Sequence, residues 1–430
     1  MAPEPGRGVT AREVAFQVLV RVFEEGAYAD RAFRSAAAAA GLDERDRAFA
    51  MQLAYGTVQR ARTLDHAIEA LGRRPVRKLD PPVRAALRLG AYQLGYAGSV
   101  PAHAAVDESV ELVRHAGLER AVAFTNAVLR RLSTGLAGLL AGLPESTPLE
   151  AALKHSYPDW VAEAWWRELG AEEALALMRA QNEPAETAVR VNRRKVADPS
   201  SLPGERDPDL PDALRLDRVP PEWLEQGLVW PQSRGSQLAG LAVGSQPGER
   251  VLDLCAAPGG KATQLVGDVV AVELSEGRSR ELEETVARLG ATNVTVVCAD
   301  GLALQPKLAG FDRALVDAPC SGLGTLASRP DLRWRAGPLP ELQLALLRAA
   351  ASRVRPGGTI VYAVCTINGT ENEQVVDALG FPVEDLGAEW PRFRHPRRPE
   401  FLLTLPHRHG TAGFFVARIR RPSEWPRGLE

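Results

Sequence analysis

The chain has little cysteine, no long apolar run and no excess of one charge. Its four cysteines, Cys255, Cys298, Cys320 and Cys365, are scattered through 430 residues without a C-x-x-C pair. That argues against a zinc site, and so few thiols in so long a chain make no disulfide scaffold. No stretch approaches the ~18 consecutive apolar residues needed to span a bilayer. The opening Met1-Ala2-Pro3-Glu4-Pro5-Gly6-Arg7 has no apolar leader core. The formal net charge of −2 excludes a molecule that is basic all over, so any nucleic-acid binding must come from local patches. A cytoplasmic, metal-free protein with free thiols and no membrane association is expected, with a monomer as the default. What is present fits a globular protein: 45% apolar and 25% charged residues. At ~100–200 residues per domain, the length predicts two to four domains.

The first third reads as helical. Thr10-Ala11-Arg12-Glu13 matches a capping box, and Val14, Val18 and Val22 then recur at helical spacing. Further helices are expected over 44–62, from Pro81-Pro82 onward, over 103–116 and over 118–132. No alternating strand pattern appears before residue 135, so residues 1–135 are expected to form an all-helical domain. It carries 19 basic and 15 acidic residues, a surplus of four. Eight of the basic ones (Arg60, Arg62, Arg73, Arg74, Arg77, Lys78, Arg84 and Arg88) fall in 56–91. They read either as a solvated helix surface or as a phosphate-contacting patch.

Leu143–Pro148 looks like a linker. The following helical stretch holds Trp160, Trp165 and Trp166, whose spacing favours buried anchoring over base stacking. Six prolines between 199 and 221 mark a loop or a second boundary. Residues 145–222 are therefore expected to form a small linking subdomain, and 223–421 the catalytic domain.

That last part alternates strand and helix. Strands are expected at 251–255, 269–273, 294–297, 313–317 and 359–363, and helices at 256–265, 278–289 and 340–354. The pattern implies an α/β fold, doubly wound around a mostly parallel sheet. In such sheets ligands bind beyond the carboxyl ends of the strands. The first strand ends in Cys255-Ala256-Ala257-Pro258-Gly259-Gly260-Lys261, a tight turn that lets a ligand approach the backbone. Its spacing is neither of the common pyrophosphate cradles. The second strand ends in Glu273, 18 residues after Cys255, a carboxylate suited to two ribose hydroxyls. Asp300 follows the third strand, where an adenine edge would lie. A ribose-binding acid without a phosphate cradle suggests a nucleoside cofactor lacking phosphates, and S-adenosylmethionine fits.

The fourth strand ends in Asp317-Ala318-Pro319-Cys320, and the fifth runs into Cys365. Two thiols thus meet the ligand edge beside a carboxylate, whereas Cys255 and Cys298 read as small buried hydrophobes. A thiolate beside a methyl donor suits one reaction in particular. The C5 of a pyrimidine is too weak a nucleophile until a thiolate adds to C6 and makes an enamine. Asp317 is suited to bond the base's N3/N4 edge. The target base must be single-stranded or flipped out. Spacing alone does not choose between the thiols: the Pro-Cys arrangement of DNA cytosine-5 enzymes would point to Cys320.

Val251–Lys261 (VLDLCAAPGGK), Val316–Leu326 (VDAPCSGLGTL) and Tyr362–Val375 (YAVCTINGTENEQV) closely resemble the motifs of the NOL1/NOP2/Sun family of RNA cytosine-5 methyltransferases. Pro330–Trp334 and Gly413–Arg418 agree with them. The helical first third resembles the NusB RNA-binding domain, a combination similar to the bacterial RsmB branch, which modifies small-subunit ribosomal RNA. The resemblance implies a Rossmann-like methyltransferase domain behind a NusB-like one, and methylation of cytosine C5 in 16S rRNA. It implies S-adenosylmethionine on the Cys255–Lys261 loop, with Glu273 on its ribose, Arg278 nearby, Asp300 by its adenine and Asp317 at the junction with the base. It makes Cys365 the nucleophile and Cys320 the residue assisting product release. Thr366 follows Cys365 where serine is common, and neither Ser233 nor Ala412 is the acid usual at its position. None of these removes a catalytic group. The same reaction on transfer RNA, and an RNA-binding antitermination or assembly factor with a vestigial catalytic fold, are the alternatives. Residues 390–421 hold eight arginines against Glu400, with Phe393, Phe401 and His407 interleaved, and are expected to contact RNA backbone.

Overall fold

A computed structural model describes residues 9–335 and 337–424. The chain divides into two compact units, one of residues 1–182 with 326–335, the other of residues 183–325 with 336–430.

The first unit is helical. Thr10 Oγ1 accepts from Glu13 N and Glu13 answers at Thr10 N, so the capping box starts α1 (Ala11–Glu24) as its sequence predicts. After it come α2 (Ala29–Ala40), α3 (Glu44–Gln59), α4 (Ala61–Gly72), α5 (Pro81–Tyr96), α6 (Ala102–His115), α7 (Glu119–Ala141), α8 (Pro148–His155), α9 (Asp159–Leu169) and α10 (Ala171–Ala180). Their core is aliphatic, with Val14, Val18, Leu19, Leu53, Leu64 and Leu129 fully buried. Each such side chain contributes roughly 1.5–3 kcal/mol by leaving water. The alanine-rich α2 and the separate α4 are not evident in the sequence pattern, which runs one helix across 44–62; the chain breaks at Arg60 instead. Trp165 is fully buried edge-on to Tyr157, 5.3 Å between ring centres, as an anchor rather than a base platform. It belongs to the helical unit, which runs on to Asn182.

The segment 326–335 is also built into this unit. Buried Arg333 stacks on Tyr157, 4.4 Å from guanidinium carbon to ring centre. It donates to Gln59 O, Ser156 O and Asn182 Oδ1 at 3.0–3.1 Å.

Among the described residues the second unit forms two sheets. The smaller joins β1 (Ala188–Val191), β2 (Glu205–Arg206), β3 (Ala213–Arg215) and β4 (Val229–Pro231) in the antiparallel order β2-β3-β1-β4. The proline-rich stretch expected as loop thus carries two short strands. After α11 (Pro221–Glu225) and α12 (Arg234–Ala242) comes the larger sheet. Its strands are β5 (Arg250–Leu254), β6 (Asp268–Glu273), β7 (Val294–Cys298), β8 (Phe311–Asp317), β9 (Val354–Val364), β10 (Val383–Glu384), β11 (Leu402–Leu403) and β12 (Phe415–Arg420). The order β10-β12-β9-β8-β5-β6-β7 is parallel from β9 to β7. The antiparallel β12 sits outside β9, with β10 and β11 paired to it. Helices α13 (Glu276–Leu289), α14 (Pro340–Arg353) and α15 (Glu373–Leu379) complete the frame. The helix expected over 256–265 is a turn with one 3-10 segment, Ala262–Gln264. Gly259, at φ +103°, cannot be helical there.

The strand order reverses at β5, flanked by β8 and β6. The crevice such a reversal opens beyond the strand ends is where a doubly wound sheet holds its ligand.

Candidate active site

The turn after β5 opens with Cys255 in the left-handed region, φ +62°. A side chain pays about 1 kcal/mol or more there, held by the tight bend from strand to loop. Burial, then the charges of Asp317, Asp253 and Glu273, push the Cys255 thiol up to about 12. It is no nucleophile at neutral pH, as its reading as a small apolar residue requires. Ala256 N donates to Val272 O at 3.0 Å and Gly259 N to Ala256 O at 2.8 Å, which fold the loop over β6. Ala257 O accepts from Arg278 Nη2 at 2.6 Å, tying Pro258 and its neighbours to the start of α13. Arg190 supports the loop from beneath. Buried on β1, it donates to Gly260 O at 3.1 Å, Thr263 Oγ1 at 2.8 Å and Gln232 Oε1 at 2.9 Å. Burial, then the Arg194 charge, lower its guanidinium to about 10. Nothing in the sequence pattern singles this residue out.

Glu273 ends β6, nearly buried. Its Oε1 accepts from Ser275 N at 3.1 Å, and Arg278 Nη1 is 3.6 Å from Oε2. Oε2 is buried without a hydrogen-bond partner, and so fits a ribose hydroxyl. Asp300 is exposed beyond β7. Its Oδ1 is engaged by Leu302 N at 2.9 Å, capping a 3-10 turn.

Asp317 ends β8 beside β5. Lys261 Nζ lies 2.7 Å from its Oδ2 and 5.0 Å from the centre of the Phe414 ring. Deeper in β5, Asp253 is fully buried with neither carboxyl oxygen hydrogen-bonded. Burial first, then the Asp317 charge, raise its carboxyl well above the ordinary carboxylate value. Sequence reasoning missed it; the available signal was an acid inside the aliphatic run Val251-Leu252-Asp253-Leu254.

Asp317 pairs with Ala363 in the β8–β9 register, which carries the two thiols to the same edge. Cys320 Sγ and Cys365 Sγ are 3.4 Å apart. The hydrogen bond with Cys365 raises the Cys320 thiol most, followed by burial and the charges of Cys365 and Glu371. Gly324 N donates to Cys365 O at 3.0 Å, and a Cβ on Gly324 would overlap the Gly413 carbonyl, so only glycine fits between them. Cys298, expected to be a small buried hydrophobe, is instead exposed at the end of the edge strand β7, away from this pair in the sheet order. Among the described residues there is no cluster able to hold a metal ion, and no helix is long and apolar enough to cross a membrane.

The arginines near the carboxyl end are committed within the chain. Arg392 bonds Asp207 and Asp209, Arg398 bonds Asp377 and Glu400, and Arg418 bonds Glu384 and Glu389. Arg394 and Arg420 reach the carbonyls of Gly387 and Gly357. Phe393 and Phe401 are buried. Most of these arginines thus have partners within the chain, while Arg392, Arg394, Arg397, Arg408 and Arg420 stay exposed. In the helical unit Arg84 and Arg88 likewise pair with Glu24 and Asp65, while Arg73, Arg74, Arg77 and Lys78 remain exposed.

Residues 241–420 match the family described as 16S rRNA methyltransferase RsmB/F, and residues 9–134 match the NusB family. The probable ribosomal RNA small subunit methyltransferase B of Synechocystis is 34% identical, over 96% of this chain and all of that one. The chain belongs to the RsmB/F methyltransferases. The Thermus thermophilus ribosomal RNA small subunit methyltransferase B is 35% identical over 96% of this chain and 98% of its own. The solved structure of PH0851 has the same fold, with a TM-score of 0.78 at 23% identity over 96% of this chain and 99% of that one. The helical first third and the parallel sheet are thus the NusB and methyltransferase domains of an RsmB/F enzyme that acts on RNA.

Proposed function

We propose that the protein methylates C5 of a cytosine in 16S rRNA through a transient bond between Cys365 and C6 of the base. The 3.4 Å thiol pair beside the Lys261–Asp317 ion pair carries this reading. Loop residues Cys255–Lys261, Glu273, Arg278 and Asp300 hold S-adenosylmethionine, with the orphan Glu273 oxygen as the fitting acceptor for its ribose. When bound, the cofactor supplies an electrophilic methyl group. Asp317 accepts from the cytosine's N4 amino group, and from N3 once that nitrogen takes up a proton as C6 is attacked, while Lys261 offsets the carboxylate's charge. The Cys365 thiolate adds to C6, which leaves C5 electron-rich and able to take the methyl. Water acting as base takes the C5 proton, and departure of the Cys365 thiolate restores the ring's double bond. Cys320, its sulfur 3.4 Å from that of Cys365, assists that release by donating to the departing sulfur. The curated relatives named for the small ribosomal subunit support 16S rRNA over transfer RNA. Exposed Arg73, Arg77 and Lys78 give the helical unit a surface for phosphates.

Replacing Cys365 by Ala abolishes transfer of tritiated methyl to 16S rRNA transcript, and replacing Cys320 by Ala accumulates a protein–RNA adduct on denaturing gels. Full turnover in C365A would refute the assignment.

A further inference from the structure

We propose that Glu371 is a positioning residue: its carboxylate ties the Cys320 loop to the Cys365 loop and fixes the separation of the two thiols. The inference rests on the cysteine reading above. Glu371 is fully buried. Its Oε1 accepts from Ser321 N at 2.9 Å, Gln343 Nε2 at 2.9 Å and Leu339 N at 3.2 Å. Its Oε2 accepts from Ser321 Oγ, from Asn368 Nδ2 at 3.3 Å and from Thr366 Oγ1 at 3.4 Å.

Ser321 directly follows Cys320 and Thr366 directly follows Cys365, and their hydroxyls are 2.7 Å apart. Both thiol-bearing backbones therefore hang on one side chain. Gln343 also donates to Pro319 O at 2.9 Å, so the loop is held on both sides of Cys320. Glu371 is itself fixed, since its own carbonyl accepts from Tyr362 Oη at 2.6 Å on β9. These donors to the carboxylate are all neutral, so its charge is met by oriented dipoles. Glutamine matches the shape but turns an NH₂ toward donors on one side. That loses acceptor capacity without opening a cavity.

Addition to C6 and release from it need the sulfurs in reach of one ring. A displacement of about 1 Å in such a geometry costs on the order of 10²-fold in rate. Other buried charges serve the scaffold instead. Arg234, for example, binds Glu186 and Asp207 at the edge of the small sheet.

The test compares Cys320→Ala with Cys320→Ala/Glu371→Gln for the rate of Cys365–RNA adduct formation on 16S rRNA transcript with S-adenosylmethionine. In parallel it compares wild type with Glu371→Gln for kcat and both KM values. The expected result is adduct formation and kcat at least tenfold slower, with both KM values and the S-adenosylmethionine Kd within twofold. Rates within twofold of the parent overturn the proposal, as does a loss explained by cofactor KM alone. If Glu371→Gln does not fold, Ser321→Ala decides. It keeps the carboxylate and removes one donor, and a threefold or greater fall in kcat at constant KM is expected, whereas unchanged kcat overturns the proposal. A Cys320→Ala parent that forms no adduct, together with full turnover in Cys365→Ala, defeats the cysteine reading and this proposal with it. A normal parent adduct with an equally fast double variant defeats Glu371 alone.

Discussion

Lys261 Nζ sits between a carboxylate and an aromatic face, 2.7 Å from Asp317 Oδ2 and 5.0 Å from the Phe414 ring centre. Behind them Asp253 is fully buried. With Lys261 removed, Asp317 would face the cytosine with no cation to offset its charge. Lys261→Met is expected to slow single-turnover methyl transfer about 10²-fold, the usual scale for deleting one electrostatic contact at a reacting centre. RNA affinity by filter binding should change little. Normal turnover in the variant would remove Lys261 from the site's chemistry.

The cysteines should differ sharply toward an alkylating reagent. Cys298 is exposed, whereas the Cys255 thiol is pushed up to about 12. At pH 8 the Cys255 thiolate fraction is then on the order of 10⁻⁴. Timed iodoacetamide labelling read by peptide mass spectrometry should show Cys298 modified well before Cys255. Equal rates would mean that the loop after β5 opens readily.

Arg190→Met should loosen the cofactor loop. It leaves Gly260 O and Thr263 Oγ1 without their buried donor. An expected cost of about 2–3 kcal/mol in stability follows, together with roughly tenfold weaker S-adenosylmethionine binding by calorimetry. Undiminished cofactor affinity would confine Arg190 to a packing role.

The pH dependence of stability should carry a histidine signature. Burial lowers His409 to about 4, outweighing its bond to Arg392 O. An unfolded chain therefore takes up this proton near pH 6.5 while the folded one resists until about 4. Stability is full above ~6.5 and is lost as the pH falls from there to ~4, by roughly 1–2 kcal/mol after allowance for partial exposure. His409→Gln should flatten the change in Tm across that window, and an identical slope would assign the effect to other groups.

The parallel strands were legible because Val251–Leu254, Val269–Val272 and Ala314–Val316 are short apolar runs ending in chemistry-bearing residues. Reading those ends located Glu273, Asp317, Cys320 and Cys365 on one edge of the sheet. The small sheet was not legible, since strands of two to four residues leave no period to detect. Asp253 is marked only by the aliphatic run around it, and Glu371 looks in sequence like an ordinary acid that burial alone separates from surface charge. In the arginine-rich tail the charge is legible but its partners are not: acids distant in sequence, such as Asp207 and Asp377, pair with part of it.

Ten residues from 326 to 335 leave the catalytic sequence and complete the core of the helical half, with Arg333 satisfying carbonyls from Gln59 and Ser156. A chain cut after Asn182 would thus lack a piece of itself. Grafting a free-standing RNA-binding module onto this enzyme, or excising its own, would require rewriting that passage as well as the obvious join.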